Sequence, residues 1–193
     1  MLALPSAPAP EPRRQVFVGT AVVLAAATAL VGGMVALYLR MRNEALDAVD
    51  GTWMPSEAKI SMVAANVMLL ALLPICIFAQ WAVYAAKRDD KQHTGVALLL
   101  TALMGLALIN AQAFIYATIG IPANQGTYSV MFYSVTGVSM LLAIVGVVFS
   151  AVTAFRYLGG RTADREVVAA HAMYWYAYSA IFAVVWFVVY VTK

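Results

Sequence analysis

Five long apolar runs follow one another along the chain, and short stretches between them carry almost all of the charged residues. The runs cover residues 16–39, 60–86, 95–119, 128–155 and 167–191. A helix needs about 20 apolar residues to cross the hydrocarbon core of a bilayer, and each run reaches that length. None of them alternates polar and apolar residues as the strands of a membrane barrel do. The pattern therefore predicts an all-α membrane protein, a five-helix transmembrane domain over residues 16–193.

The N-terminal stretch before the first run is different in character. The residues MLALPSAPAPEPRRQ are rich in proline and alanine and lack the short apolar core of a secretory signal. We expect a disordered tail over residues 1–15, followed by an anchor helix that is retained. The connections are short, and only the first one, over residues 40–59, could hold more than a turn or a short surface helix.

Lysine and arginine are unevenly divided between the two ends of the predicted bundle. The side with more of them is expected to face the cytoplasm. The tail, the second connection and the fourth connection hold eight of the twelve: Arg13, Arg14, Lys87, Arg88, Lys91, Arg156, Arg161 and Arg165. The opposite side holds Arg40, Arg42, Lys59 and Lys193. This bias predicts a cytoplasmic N-terminus and a C-terminus outside.

Composition strengthens the membrane assignment. Of the 193 residues, 64% are hydrophobic and 11% are charged, whereas about 25% are charged in a typical soluble domain. The mean hydropathy is +0.84. The net charge of +3 does not indicate a nucleic-acid partner, because the basic residues form short clusters between apolar runs and no continuous face.

The predicted spans contain almost no charged residues. All nine acidic residues and every lysine lie outside them, which argues against a proton pump, a proton-coupled carrier or a charged channel filter. A haem or metal site needs several converging ligands, so a shallow site shared by His93 and His171 is the weaker alternative. Cys76 is the only cysteine and cannot form an intrachain disulfide. We therefore predict no catalytic, cofactor-binding or metal-binding residue in this chain.

The fourth span carries a regular stripe of small and weakly polar residues. Its members recur at spacings of three and four residues, which places them on one helix face where another backbone can approach closely. We name this stripe the α4 seam and predict that it packs helices together, within this chain or against another: Thr136, Ser139, Ala143, Gly146, Ser150 and Thr153.

Carboxamides also lie inside the predicted spans, at Asn66, Gln80, Asn110 and Gln112. Polar groups in hydrocarbon seek hydrogen bonds across helices, so we interpret them as helix-packing contacts in preference to a ligand site. Pro74 removes a backbone donor from the second span and predicts a kink there unless neighbouring groups satisfy the freed carbonyl.

Three functions are open on these observations alone. The chain could be an accessory subunit of a larger membrane complex, a small transporter or channel for a neutral solute, or a membrane enzyme whose cofactor comes from a partner. The accessory subunit requires only packing surfaces, so the composition favours it.

The order of motifs resembles subunit III of the haem–copper oxidases, in its bacterial five-helix form. The stretches GTAVVLAAATALVGGMVALYLRMR, WMP, WAVYAAKRDDKQHTGVALLLTALMGLALINAQAFIYA, FYSVTGVSMLLAIVG and YWYAYSAIFAVVWFVVY follow the family's order over residues 16–191. Characteristic positions of the family fall on Tyr38, Arg40, Trp53, Pro55, Trp81, Gln112, Tyr116, Gly137, Tyr174, Trp175, Trp186 and Tyr190.

The chain departs from the family at each ionisable position inside the membrane. The family has glutamates in its first and third helices, two histidines in its fourth, and a histidine and an aspartate in its last. Neutral residues occupy those positions here: Ala27, Ile115, Ser139, Leu142, Tyr176 and Ser179. A proton-related role of those carboxylates therefore does not carry over to this chain.

The resemblance implies a non-catalytic accessory subunit in the bacterial plasma membrane. Haem and copper are then expected in the catalytic subunit I beside it, and none in this chain. The family implies phospholipid held between helices and support for oxygen access and stability. It also implies a lipid headgroup near Arg156, although an ordinary positive-inside anchor is the simpler interpretation of that residue. A subunit III-like component of a nitric oxide reductase would show the same motifs.

Overall fold

The chain folds into five long helices in a computed structural model that describes residues 14–48, 51–161 and 164–192. The helices are α1 (Gln15–Leu46), α2 (Met62–Lys87), α3 (Lys91–Thr118), α4 (Gly126–Leu158) and α5 (Arg165–Trp186), and α5 continues as a π-helical segment, Phe187–Val191. All five are long and apolar enough to cross a membrane. The described residues include no strand. The predicted five-helix architecture is confirmed, whereas the orientation of the termini stays a prediction and the predicted tail lies almost wholly outside the described residues.

The helices do not stop where the apolar runs stop. Helix α1 continues to Leu46, although its apolar run ends at residue 39. In this extension Arg40 Nε donates to Glu44 Oε1 at 2.8 Å, and a pair at this spacing supports an exposed helix. Helix α2 continues unbroken through Pro74, as packing against neighbouring helices permits in membranes.

Helix α5 is the central element of the bundle. It packs against α1, α2 and α4, while α3 packs between α2 and α4. The aromatic side chains of α5 fill the interior, and Trp175, Tyr178 and Tyr190 are each no more than 1% exposed. The aromatic-rich last run of the sequence is therefore the core of the fold.

The outer faces of the helices are apolar. Val22 on α1, Leu70 on α2 and Leu141 on α4 are 64%, 62% and 58% exposed. Apolar surface of this extent indicates contact with a membrane or with other proteins. With five helices of membrane-spanning length, it makes the chain a multi-pass membrane protein.

The turn between α2 and α3 is fixed by Asp90, the residue that caps α3. Asp90 Oδ1 accepts a hydrogen bond from the His93 backbone N–H at 3.0 Å, and Asp90 Oδ2 lies 2.7 Å from His93 Nδ1. The bond from that backbone N–H is the main cause that lowers the pKa of Asp90 below its ordinary value. An ionised cap also interacts favourably with the positive end of the helix dipole.

Replacing Asp90 by alanine is expected to lower the thermal unfolding midpoint at neutral pH. Because the pKa of Asp90 is lower in the folded state, its contribution is complete above the unfolded pKa of about 4 and is lost as the pH falls through the folded value. The difference between wild type and Asp90→Ala should therefore shrink below about pH 4. Circular dichroism in mild detergent measures it, and a difference that persists in acid would contradict the assignment. Asp90→Asn keeps a capping oxygen and serves as the uncharged control.

Candidate functional site

All six residues of the α4 seam are buried. Their neighbours belong to this chain: Thr136 Oγ1 lies 2.8 Å from Tyr116 Oη of α3, and Ser150 Oγ lies 2.7 Å from His171 Nε2 of α5. The seam thus joins α4 to both α3 and α5. In this fold it holds the bundle together from within and is not presented to the membrane.

The indole of Trp175 is enclosed between two glycines on different helices. A Cβ added at Gly146 of α4 would lie 2.9 Å from Trp175 Cζ2 and 2.9 Å from Tyr174 Cε1. A Cβ added at Gly105 of α3 would lie 2.9 Å from Trp175 Cη2 and 2.6 Å from Val147 Cγ2. All four distances are shorter than real carbon contacts, so both positions require glycine for the helices to pack this closely.

A buried hydrogen-bond network surrounds the same indole. Trp175 Nε1 donates to Ser150 Oγ at 3.0 Å and to His171 Nε2 at 3.1 Å. Because Nε2 accepts, the imidazole proton belongs on Nδ1, and Nδ1 has no partner among the described residues. His171 is completely buried, and its ring makes an edge-on contact with that of Phe149. This network fixes the packing of α4 against α5 with neutral groups only.

Neutral hydrogen bonds also join the other helices. Tyr190 Oη, at the end of the chain, donates to Gln112 Oε1 of α3 at 2.8 Å. Tyr174 Oη donates to the carbonyl of Leu142 at 2.7 Å. The phenol groups thus serve as interhelical donors. Of the four carboxamides predicted to make helix-packing contacts, Gln80 and Gln112 accept such bonds, from Tyr176 and Tyr190, and the side chains of Asn66 and Asn110 make none to a described residue.

The connection between α1 and α2 is anchored by Trp53. Its ring lies edge-on between Tyr38 and Tyr128, with centroid distances of 5.3 and 5.4 Å, and its Nε1 donates to Tyr38 Oη at 3.1 Å. Trp53 is 7% exposed. The Lys59 backbone N–H donates to the carbonyl of Ile119 at 2.9 Å and ties this connection to the end of α3. The connection therefore covers one end of the bundle.

Replacing Trp53 by phenylalanine is expected to destabilise the packing of this connection more than the packing of the helices. The edge-on ring contacts are largely kept, but the hydrogen bond to Tyr38 is lost, at a cost of about 1 kcal/mol. Limited proteolysis between residues 51 and 61 measures the effect and should be several-fold faster than in wild type, while helix content is unchanged. Trp81→Phe, at the opposite end, is the matched control and should not alter cleavage there.

The opposite end of the bundle is basic and contains ion pairs. Arg156 Nε and Nη2 both donate to Asp164 Oδ2, at 3.1 and 2.7 Å, and Arg165 pairs with Asp89. A cavity of about 550 Å³ opens at the same end between α1, α2 and α5. Its polar lining comprises Arg14, Lys87, Arg165 and Glu166. Arg156, the predicted headgroup contact, is thus near the surface but already has one carboxylate partner.

The neutral residues that the resemblance places at the family's ionisable positions have several different surroundings. Ala27 and Ile115 are both buried, and Ile115 belongs to the main apolar core. Ser179 Oγ donates to the carbonyl of Trp175 and lies 3.3 Å from Cys76 Sγ. Tyr176 is 40% exposed and donates to Gln80 on α2. These residues are therefore packed against apolar groups or make neutral hydrogen bonds.

The two histidines have separate surroundings. His93 is exposed and bonded to Asp90, with its ring 5.9 Å from that of Trp81, whereas His171 lies inside the bundle. Over residues 14–48, 51–161 and 164–192 there is no cluster of three or more His, Cys, Asp or Glu side chains able to hold a metal ion. The notable features of the described residues are therefore the α4 seam and the ion pairs of Arg156 and Arg165.

Sequence reasoning missed two features of the site. The network of Ser150, His171 and Trp175 joins residues from two helices, and the spacing of four between His171 and Trp175 was its only signal. The anchoring of Trp53 was also missed, since an aromatic residue in a loop between spans is typical of a membrane interface.

These features define a multi-pass helical membrane protein whose helices are joined by small-residue seams and neutral hydrogen bonds. The sequence model of the cytochrome c oxidase subunit III family matches residues 18–193. The probable cytochrome c oxidase subunit 3 of Mycobacterium bovis is 28% identical over 187 residues, covering 90% of this chain and 88% of the relative. The subunit 3 of Thermostichus vulcanus is 23% identical over 176 residues, covering 90% and 85%.

The chain belongs to the cytochrome c oxidase subunit III family. Subunit III is a non-catalytic subunit of the oxidase, and membership in this family implies association with other oxidase subunits.

Proposed function

We propose that this chain is an accessory subunit of a haem–copper terminal oxidase in the bacterial plasma membrane, packed beside catalytic subunit I. Haem and copper belong to that partner. The neutral interior of the bundle supports the assignment of an accessory role. Its buried polar groups, such as Ser150, His171 and Gln112, bond to other helices of the chain. A bundle of this kind supplies surface and support, and oxygen chemistry takes place in its neighbour.

Lipid retention and oxygen access are the finer parts of this proposal. An apolar groove of about 320 Å³ lies between α2 and α5, lined by residues that include Leu69, Leu73 and Ala183. Dioxygen and acyl chains are both apolar, so a groove of this lining accommodates either one. Oxygen passage requires no ionisable group, and the substitutions at Ala27 and Ile115 do not affect it.

Arg156 is proposed to hold a phospholipid headgroup in this assembly. Its side chain is 42% exposed, and its Nη1 makes no hydrogen bond to a described residue, so it has donors left for a phosphate oxygen. Arg156→Gln is expected to reduce the phospholipid that stays bound after detergent purification, measured by mass spectrometry. Arg161→Gln at the same end is the matched control. Equal retention in both variants would leave Arg156 as a positive-inside anchor.

Purification from the native membrane in mild detergent tests the function as a whole. We expect haem bands in the visible spectrum and co-purifying oxidase subunits, identified by mass spectrometry. A strain lacking this chain should keep the initial oxidase rate and lose activity faster during sustained turnover. A monodisperse chain that purifies alone and moves a neutral solute into vesicles would contradict the proposal. A co-purifying nitric oxide reductase would assign the chain to that enzyme instead.

A further inference from the structure

The cavity at the basic end of the bundle lies where three helices meet. Its volume is about 550 Å³, and its lining comes from the start of α1, the end of α2 and the start of α5. Helix α1 packs against α5 and α4, whereas α2 packs against α3 and α5. The cavity therefore lies between the ends of α1 and α2, with α5 beside both. Arg156, to which the proposed function assigns a headgroup, does not line this cavity.

Two of the cations that line the cavity have no counter-charge. Among the described residues, the side chains of Arg14 and Lys87 have no ion-pair or hydrogen-bond partner. Arg165, the third cation of the lining, pairs with Asp89 in the turn between α2 and α3. Guanidinium and ammonium groups carry several donors each and form strong, charge-assisted hydrogen bonds with phosphate oxygens. Arg14 and Lys87 are therefore available to an anion that enters the cavity.

The carboxylate of the lining, Glu166, serves a different purpose. Its Oε1 accepts a hydrogen bond from the Phe17 backbone N–H at 2.9 Å, which ties the start of α5 to the first turn of α1. The first N–H groups of a helix have no partner within the helix, so Glu166 satisfies one of them. Together with Arg165 and its partner Asp89, the site has three positive and two negative charges. Its net charge is thus +1.

The deeper part of the lining is apolar. It consists of Phe17, Val83 and Ala169, which are all half-buried. Arg14 directly precedes α1, and Lys87 is the last residue of α2. Phe17 and Val83 lie about one helical turn, or roughly 5 Å, further into the bundle. The cavity thus has a basic rim at the ends of the membrane-spanning helices and an apolar floor, which matches the order of phosphate and acyl chain in a phospholipid.

We propose that this cavity binds an anionic phospholipid, with its phosphate between Arg14 and Lys87 and the beginning of an acyl chain against Phe17 and Val83. The phosphodiester of such a lipid carries a single negative charge and neutralises the site. A phosphate monoester carries about −1.5 to −2 and has no apolar part for the floor. The bound lipid links the start of α1 to the end of α2. This inference goes beyond the proposed function and requires only that the chain lies in a membrane.

Lipid titration of the purified full chain in detergent, followed by native mass spectrometry, tests the site with phosphatidylglycerol as the probe. Arg14→Gln and Lys87→Gln should each weaken its binding by at least about ten-fold, as for loss of a hydrogen bond between charged groups. Lys91→Gln is the matched control, because Lys91 is an exposed lysine at the same end and does not line the cavity. Equal losses in Lys87→Gln and Lys91→Gln, or no loss in either lining variant, would overturn the inference.

Glu166→Gln separates the charge of the site from its shape. Glutamine keeps an oxygen that can accept the Phe17 N–H and removes one negative charge. The variant should therefore bind phosphatidylglycerol several-fold more tightly than wild type, a gain that damage to the fold would not produce. Weaker binding, with helix content unchanged by circular dichroism, would contradict the proposed arrangement of charges.

Competition with inorganic phosphate distinguishes a lipid from a soluble anion. Millimolar phosphate should leave phosphatidylglycerol bound, because it gains nothing from the apolar floor. Displacement of the lipid under these conditions would assign the cavity to a soluble anion and overturn the proposal. These measurements do not depend on oxidase subunits that co-purify, so the lipid site can fail while the proposed function stands.

Discussion

Replacing Gly146 by valine is expected to lower the free energy of unfolding by about 3 kcal/mol, because the new side chain would overlap two buried aromatic rings. The first added carbon alone would lie 2.9 Å from Trp175 Cζ2 and from Tyr174 Cε1. Neither ring can move away easily, since both are packed inside the bundle. Unfolding by a denaturing detergent in mixed micelles, followed by circular dichroism, measures the change.

Gly33→Ala is the control for Gly146→Val. Gly33 lies within α1, and a Cβ there would meet no atom within 4 Å. Alanine is a better helix former than glycine by about 1 kcal/mol, so this variant should be as stable as wild type or more so. Equal losses at Gly33 and Gly146 would show that the cost belongs to helix formation and not to the close approach of α5.

Replacing Trp175 by alanine is expected to cost about 3–5 kcal/mol, the range found for truncating a large buried aromatic residue. The indole fills the space between α3, α4 and α5, and its N–H is the donor to Ser150 and His171. The variant should therefore open a cavity and remove the donor that Ser150 and His171 share. In the assembled oxidase, it should also lower the yield of complex, measured by haem recovered per mass of membrane.

A double-mutant cycle distinguishes crowding from hydrogen bonding at this position. Phenylalanine lacks the indole carbons that lie closest to Gly146, so Trp175→Phe should partly relieve the cost of Gly146→Ala. The combined loss in Gly146→Ala/Trp175→Phe should thus be smaller than the sum of the single losses by about 1 kcal/mol. Strict additivity would mean that the contact between Gly146 and the ring does not limit the packing.

Where the resemblance places the family's ionisable groups inside the membrane, this chain has neutral residues. By the resemblance, Tyr176 and Ser179 stand where the family has a histidine and an aspartate, and both make neutral hydrogen bonds within the bundle. Neutral groups in hydrocarbon are less costly than charged ones and need fewer partners. A subunit built in this way is suited to support a catalytic neighbour, in agreement with the role proposed for it.

Much of the fold could be predicted because the hydrocarbon of a membrane permits few backbone structures. Five runs of sufficient length predict five helices, since only helices and closed barrels satisfy the backbone in hydrocarbon. The spacing of the α4 seam likewise predicts one smooth helix face. The helix ends could not be predicted in the same way, because α1 continues to Leu46 through residues whose polarity resembles that of a loop.

The sequence by itself determined the number of helices, their membrane character, the α4 seam and the family resemblance. All of these follow from local properties, namely hydropathy, periodicity and the order of motifs along the chain. Only the tertiary structure decided that Trp175 lies between Gly105 and Gly146, and that Asn110 is exposed while Gln112, two residues further on, is buried. Every helix in a bilayer has apolar residues all around it, so hydropathy does not distinguish the side that meets lipid from the side that meets another helix. That distinction arises from contacts between residues distant in sequence, which the folded bundle alone specifies.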